Sequence, residues 1–120
     1  GPYIGIDMVD GPGVDRVAEA RALPFGDGEF EVVVCTEMLE HDPTPWLSLP
    51  EMARVLKPGG HLLLTTRGPM FPPHDYPEDW WRFTKTSITM LVAEMAQLYP
   101  LEVVDDPSRE HPGVFCLAQK

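Results

Sequence analysis

Apolar residues in this chain cluster in short runs separated by turn residues, and two stretches carry a helical period instead. Tyr3-Ile4-Gly5-Ile6 predicts a short strand closed by Asp7, and Val14 to Ala18 predicts a second after the turn Gly11-Pro12-Gly13. Leu23-Pro24-Phe25-Gly26-Asp27-Gly28 begins apolar and ends in a tight turn. Phe30 to Cys35 is β-branched and continuous, which predicts a buried strand. The polar cluster Thr36 to His41 lies just past its end. Arg54 to Gly60 reads as the last turn of a helix followed by a glycine stop. Its cations suit the negative end of the helix dipole, Pro58 cannot continue the helix, and Gly59 or Gly60 can adopt positive φ. Leu62 to Leu64 is wholly apolar, as a parallel strand covered on both faces would be.

The start of that helix is set by proline chemistry. Pro50 would break a helix running from Thr44, whereas Ser48-Leu49-Pro50-Glu51 offers a capping box with Pro50 in the first turn. The expected helix therefore begins near Leu49. Pro69 to Asp79 is a long irregular loop. Thr86 or Ser87 can cap a second helix reaching about Leu98, with Ile88, Leu91, Val92 and Met95 on one face. Leu101 to Val104 and Val114 to Ala118 predict two final strands. A helix alternating with apolar strands suggests an open α/β sheet with its chemistry at the strand ends.

Composition narrows the function classes. The chain has 120 residues, enough for one domain over residues 1–120. Nine basic against nineteen acidic residues give a formal charge of −10, which disfavours nucleic acid as a tightly held partner. No eighteen-residue apolar run predicts a membrane span, and no signal peptide is visible. Cys35 and Cys116 sit in apolar runs away from any CxxC or histidine pairing. They read as small core residues in a reducing, cytoplasmic compartment, with no disulfide and no metal site.

Several segments then match one family in order. They are Gly5-Ile6-Asp7, Glu19-Ala20-Arg21-Ala22-Leu23-Pro24-Phe25, Phe30-Glu31-Val32-Val33-Val34, Met38-Leu39-Glu40-His41, Glu51 to Gly60, and His74-Asp75-Tyr76-Pro77-Glu78-Asp79-Trp80-Trp81-Arg82-Phe83-Thr84. The chain resembles the class I S-adenosylmethionine-dependent methyltransferases over nearly its whole length. The resemblance implies a truncated Rossmann-like α/β sheet, mostly parallel with an antiparallel C-terminal strand. It implies S-adenosylmethionine as cofactor, with Asp7 on the ribose hydroxyls, Leu23 and Phe25 as adenine walls, and Glu19, where the family usually has Asp, nearby. Ala20, Cys35 and Thr36 complete the implied cofactor set. A base is needed only where the acceptor carries a proton that leaves early, and Glu37, His41, His74 and Asp75 are the candidates. Glu40-His41 is a family hallmark that often shapes the loop after its strand. Asp75-Tyr76 and Trp80-Trp81-Arg82 would line an acceptor pocket, aromatic and partly charged, for a small molecule.

One part of the family pattern is missing. The family's first strand ends in a Gly-x-Gly loop beneath the methionine tail, and this sequence contains no Gly-x-Gly-x-x-Gly. A central gap in the sheet would leave buried backbone groups unpaired at ~1–3 kcal/mol each. Three arrangements answer this. The chain is a piece of a longer protein, or the strand ending at Asp7 pairs beside Phe30 to Cys35, or a second subunit of a homo-oligomer fills the edge. The main functional expectation is methyl transfer to a small-molecule acceptor by in-line displacement. The alternatives are a catalytically degenerate methyltransferase-like binding or assembly module and a different nucleotide-binding α/β domain.

Overall fold

The computed structural model describes residues 3–73, 78–106, 108 and 112–120. Two parallel ladders and two helical segments set the frame. β1 (Ile6–Asp7) pairs in parallel with β2 (Arg16–Val17). Gly5 anchors this small ladder. Its N–H donates to Asp15 Oδ2 at 2.7 Å, and its carbonyl accepts from the Asp15 and Arg16 amides. A Cβ on Gly5 would stand 2.0 Å from the Gly13 carbonyl oxygen, so the turn closes only over glycine.

The main sheet runs β3 (Phe30–Thr36), β4 (Leu56–Arg67), β6 (Gly113–Gln119), β5 (Tyr99–Asp106). β3 and β4 pair in parallel, while β6 lies antiparallel to both β4 and β5. Three of the four strands therefore point the same way, and the C-terminal strand alone is reversed, as the resemblance implied. β1 does not extend this sheet. It pairs with β2 rather than with Phe30 to Cys35, so the expected closing-up of the sheet does not occur.

α1 (Pro45–Val55) begins earlier than Ser48 chemistry suggested. The Asp42 carboxylate accepts from the Thr44 amide at 2.9 Å, and this turn delivers Pro45 into the first helical turn, where a missing N–H costs nothing. Ser48 makes no capping box; its hydroxyl donates back to the Thr44 carbonyl. Pro50 is tolerated inside the helix. The second helical segment is α2 (Lys85–Met90), continued by a π-helical turn over Leu91–Met95. Its cap is Thr84, two residues before the expected position, in a reciprocal box with Ser87.

The core lies on one face of the sheet only. Cys35, Leu62, Leu64, Val114, Cys116 and Ala118 meet Leu39, Leu49, Met52, Ile88 and Val92 from the helical segments. On the opposite face Val32 and Val34 are 51% and 59% exposed. Phe30 to Cys35 is thus an outer strand covered on one side, a correction to the buried strand expected from its apolar run. Leu63, alternating with the buried Leu62 and Leu64, is likewise only half-buried. The helix stops at Val55 with Leu56 in extended conformation as its cap, so the expected glycine stop is not used; Gly59 takes φ +84 inside β4, within a bulge where the β3–β4 register slips.

Candidate functional site

The carboxyl ends of the parallel strands bring most of the described candidates into view. Asp7 ends β1, Glu19 follows β2, and Thr36 ends β3 with Glu37 one residue beyond. Asp7 is exposed, and its Oδ1 receives the Val9 amide at 3.4 Å. Glu19 pairs at the surface with Arg21 at 2.7 Å. Ala20 and Leu23 pack against the core, and Phe25 meets Phe30 edge-on at 4.8 Å between centroids. Cys35 faces the core, and burial first, then nearby Glu40, Asp42 and Glu37, push its thiol up to about 12. Burial raises Cys116 to about 11. Both thiols are free and stay protonated at neutral pH. His74 and Asp75, with Tyr76 and Pro77, lie outside the described residues.

A residue that the sequence marked only as a cation at a helix end holds the Leu23–Phe25 loop. Arg54, in the last turn of α1, donates to Glu51 through Nε at 2.6 Å and Nη2 at 3.1 Å. It also reaches the Leu23 carbonyl at 3.1 Å, the Phe25 carbonyl at 2.8 Å and Asp27 Oδ1 at 2.9 Å. Glu51 in turn receives the Leu23 amide at 2.9 Å. All five guanidinium donors are used. The Glu51–Arg54 spacing was a visible i,i+3 signal; its target loop was not.

Glu37 adopts φ 55, a left-handed conformation uncommon for a residue with a Cβ. Its amide donates to the Thr65 carbonyl at 2.9 Å, its carboxylate Oε1 accepts from Thr65 Oγ1 at 2.9 Å, and its Oε2 forms an ion pair with Arg67 Nε at 2.6 Å. Arg67 also lies 4.5 Å from the Phe71 ring centroid. The end of β4 therefore contributes Thr65 and Arg67 to a cluster in which the sequence reading had placed only Glu37.

Glu40 and His41 form a strap beside it, in the 3-10 turn Leu39–His41. The Glu40 carbonyl accepts the Trp80 and Trp81 amides at 2.8 and 3.2 Å. His41 Nδ1 lies 2.6 Å from the Glu78 carbonyl. A carbonyl only accepts, so Nδ1 carries the hydrogen and a neutral His41 has its lone pair on Nε2. The Trp81 indole N–H donates to the Asp42 carbonyl at 2.7 Å. This turn thus positions the aromatic segment 78–81, the structural role the family often gives it.

The Glu40 carboxylate is buried and accepts Thr66 Oγ1 at 2.9 Å. Burial is the largest influence on it and raises its pKa above the ordinary 4.5. Above that ordinary value the unfolded chain has lost a proton that the folded chain keeps, so this group's contribution to stability falls as pH rises through the window up to the raised folded value. Glu40→Gln should remove that slope. Thermal melts from pH 4.5 upward are expected to show the variant gaining on the native chain as pH rises, and parallel curves would refute the assignment.

Known proteins share segments of this sequence and its fold. Residues 8–64 match the family model described as a methyltransferase domain. The chain is 40% identical over 96 residues to the ubiquinone biosynthesis O-methyltransferase of Dechloromonas aromatica, covering 64% of this chain and 40% of that one. The chain resembles the class I methyltransferases in sequence and in fold. A second relative is the 27-O-demethylrifamycin SV methyltransferase of Amycolatopsis mediterranei, 45% identical over 56 residues, covering 47% of this chain and 21% of that one. The chain thus spans two fifths or less of both curated relatives. The fold is shared with the 1,6-didemethyltoxoflavin-N1-methyltransferase of Burkholderia thailandensis, at TM-score 0.78 and 16% identity, covering 96% of this chain and 59% of that one. A SAM-dependent methyltransferase of Methanosarcina mazei superposes at TM-score 0.72 and 20% identity over 98% of this chain and 81% of that one.

Proposed function

We propose that this chain carries the adenosine-binding and acceptor-facing part of an S-adenosylmethionine-dependent methyl transfer to a small molecule. The observation that carries the reading is the carboxyl-end arrangement. An exposed carboxylate ends β1, and beyond β2 the apolar Leu23 and Phe25 are held by a fully bonded arginine. The residues fit the group. Among the described residues the Asp7 carboxylate has one weak internal contact, at 3.4 Å, so it can accept ribose hydroxyls. Leu23 and Phe25 are half-buried, as walls for an adenine ring would be. Ala20, Thr36 and the Cys35 backbone complete the lining, with Glu19 at its rim.

When bound, S-adenosylmethionine supplies the activated methyl carbon and its own leaving group. The chain's residues then have to bind, align and exclude water, effects worth up to ~7–11 kcal/mol in well-oriented reactions. Glu37 and His41 remain the described proton acceptors for an acceptor that must lose a proton. Glu37 is engaged by Thr65 and Arg67, and His41 is fixed by Glu78. Two buried free thiols fit a reducing, cytoplasmic setting, and among the described residues no helix is long and apolar enough to cross a membrane.

Calorimetry with S-adenosylhomocysteine tests the cofactor assignment directly. A saturable heat is expected, and Asp7→Ala should weaken binding about ten- to a hundredfold, the range of a hydrogen bond to a charged group. No heat at millimolar ligand sinks the reading, and unchanged affinity in the variant removes Asp7 from the site. Binding without turnover on any acceptor would favour the degenerate module.

A further inference from the structure

The loop between β4 and α2 is closed at its neck by Arg82. Its Nε donates to the Phe71 carbonyl at 3.0 Å. One terminal nitrogen donates to the Pro72 carbonyl at 2.6 Å and to Asp79 Oδ2 at 2.5 Å. The other donates to Asp79 Oδ1 and to the Trp81 carbonyl. A guanidinium has five N–H donors, and here each has an acceptor. One side chain therefore ties the 71–72 wall to the 79–81 wall, and no donor is left for an anion entering between them. Asp79 is neutralised by the same pair.

Between those walls lies a recess of about 290 Å3, at the small end of ligand cavities. Its aromatic walls are not equivalent. Phe71 already carries the guanidinium groups of Arg67 and Arg82, at 4.5 and 5.3 Å from its centroid. Trp81 donates its indole N–H to Asp42 and meets Trp46 edge-on at 6.2 Å. Among the described residues, Trp80 alone of these three has no partner for its ring. It is 54% exposed while its backbone amide is pinned to the Glu40 carbonyl at 2.8 Å. A large indole fixed at its backbone, with an open face beside a charge-compensated recess, suits stacking on a flat uncharged ring.

We propose that this recess binds an uncharged planar aromatic ring stacked on Trp80, which makes an uncharged aromatic compound the methyl acceptor. The acceptor role rests on the methyl-transfer reading above; the ring site does not. The recess is aromatic, and its charges are spent internally rather than offered to a ligand.

Ligand-observed NMR titrations of the chain compare phenol with cyclohexanol, and methyl 4-hydroxybenzoate with 4-hydroxybenzoate. Phenol should bind about three- to tenfold more tightly than cyclohexanol, the range of an aromatic pair beyond its buried area. The ester should bind more tightly than the carboxylate. Trp80→Leu should bring the phenol-to-cyclohexanol ratio near one, and Trp80→Phe should keep it above one. Equal binding of the two alcohols, tighter binding of the carboxylate, or no binding overturns the proposal. The calorimetric titration with S-adenosylhomocysteine separates the two readings. Cofactor heat without ring preference overturns the recess alone. Ring preference without cofactor heat overturns methyl transfer and the acceptor role, and the aromatic site stands.

Discussion

Leu64→Ala is expected to destabilise the chain by ~2–5 kcal/mol in urea unfolding. Leu64 lies on β4, the inner strand between β3 and β6, and is 1% exposed. It stands opposite Cys35 on one side and Cys116 on the other, all on the face covered by the helical segments. Removing its branched end leaves a cavity walled by both neighbouring strands, which cannot close without moving the sheet. A domain of this size has only about 5–15 kcal/mol in hand, so the variant stands near the unfolding threshold at room temperature. Leu63→Ala is the control. It removes the same atoms one residue away, on the half-buried face, and should cost well under half as much. Equal losses at the two positions would contradict the one-sided core.

Arg54→Met is the second large effect, and it is local. The substitution keeps an unbranched stem while removing five hydrogen bonds to Glu51, Asp27 and the carbonyls of Leu23 and Phe25. It also leaves Glu51 without the cation that, through a direct hydrogen bond, lowers its pKa. Amide exchange around Leu23 is expected to quicken by about tenfold or more, since a bond to a charged group is worth at least that factor. Exchange in β4 should hardly change. If residues 19–28 keep their protection, the arginine is not what holds the loop.

Glu40 shows how a motif was legible while its duty was not. The sequence Met38-Leu39-Glu40-His41 marked the end of a strand in the right family. Its side chains and carbonyl turn out to grip Thr66, Glu78, Trp80 and Trp81, residues far along the chain. The same holds for Arg82. Its i,i+3 partner Asp79 could be seen by spacing, but the carbonyls of Phe71 and Pro72 could not, because an irregular proline loop has no period to read. Helix starts failed for a more local reason. Thr44 begins α1 without any side-chain cap bond, and Thr84 closes a box with Ser87 where Thr86 or Ser87 had been the expected cap.

The residue pattern by itself determined which segments are strands and which helical, apart from the helix starts, and which family they resemble. β-branched runs, helical spacing and the order of short motifs are local properties, and local sterics largely decide them. The tertiary structure alone decided which face of each apolar run is covered. Val32, Val34 and Leu63 are as apolar as Cys35, Leu62 and Leu64, yet alternation sends them to the side that neither helical segment reaches. It alone also decided which polar groups meet. The carbonyls that satisfy Arg54 lie 29 and 31 residues away, and a donor's partner across such a distance is set by how the chain packs, not by what stands beside it.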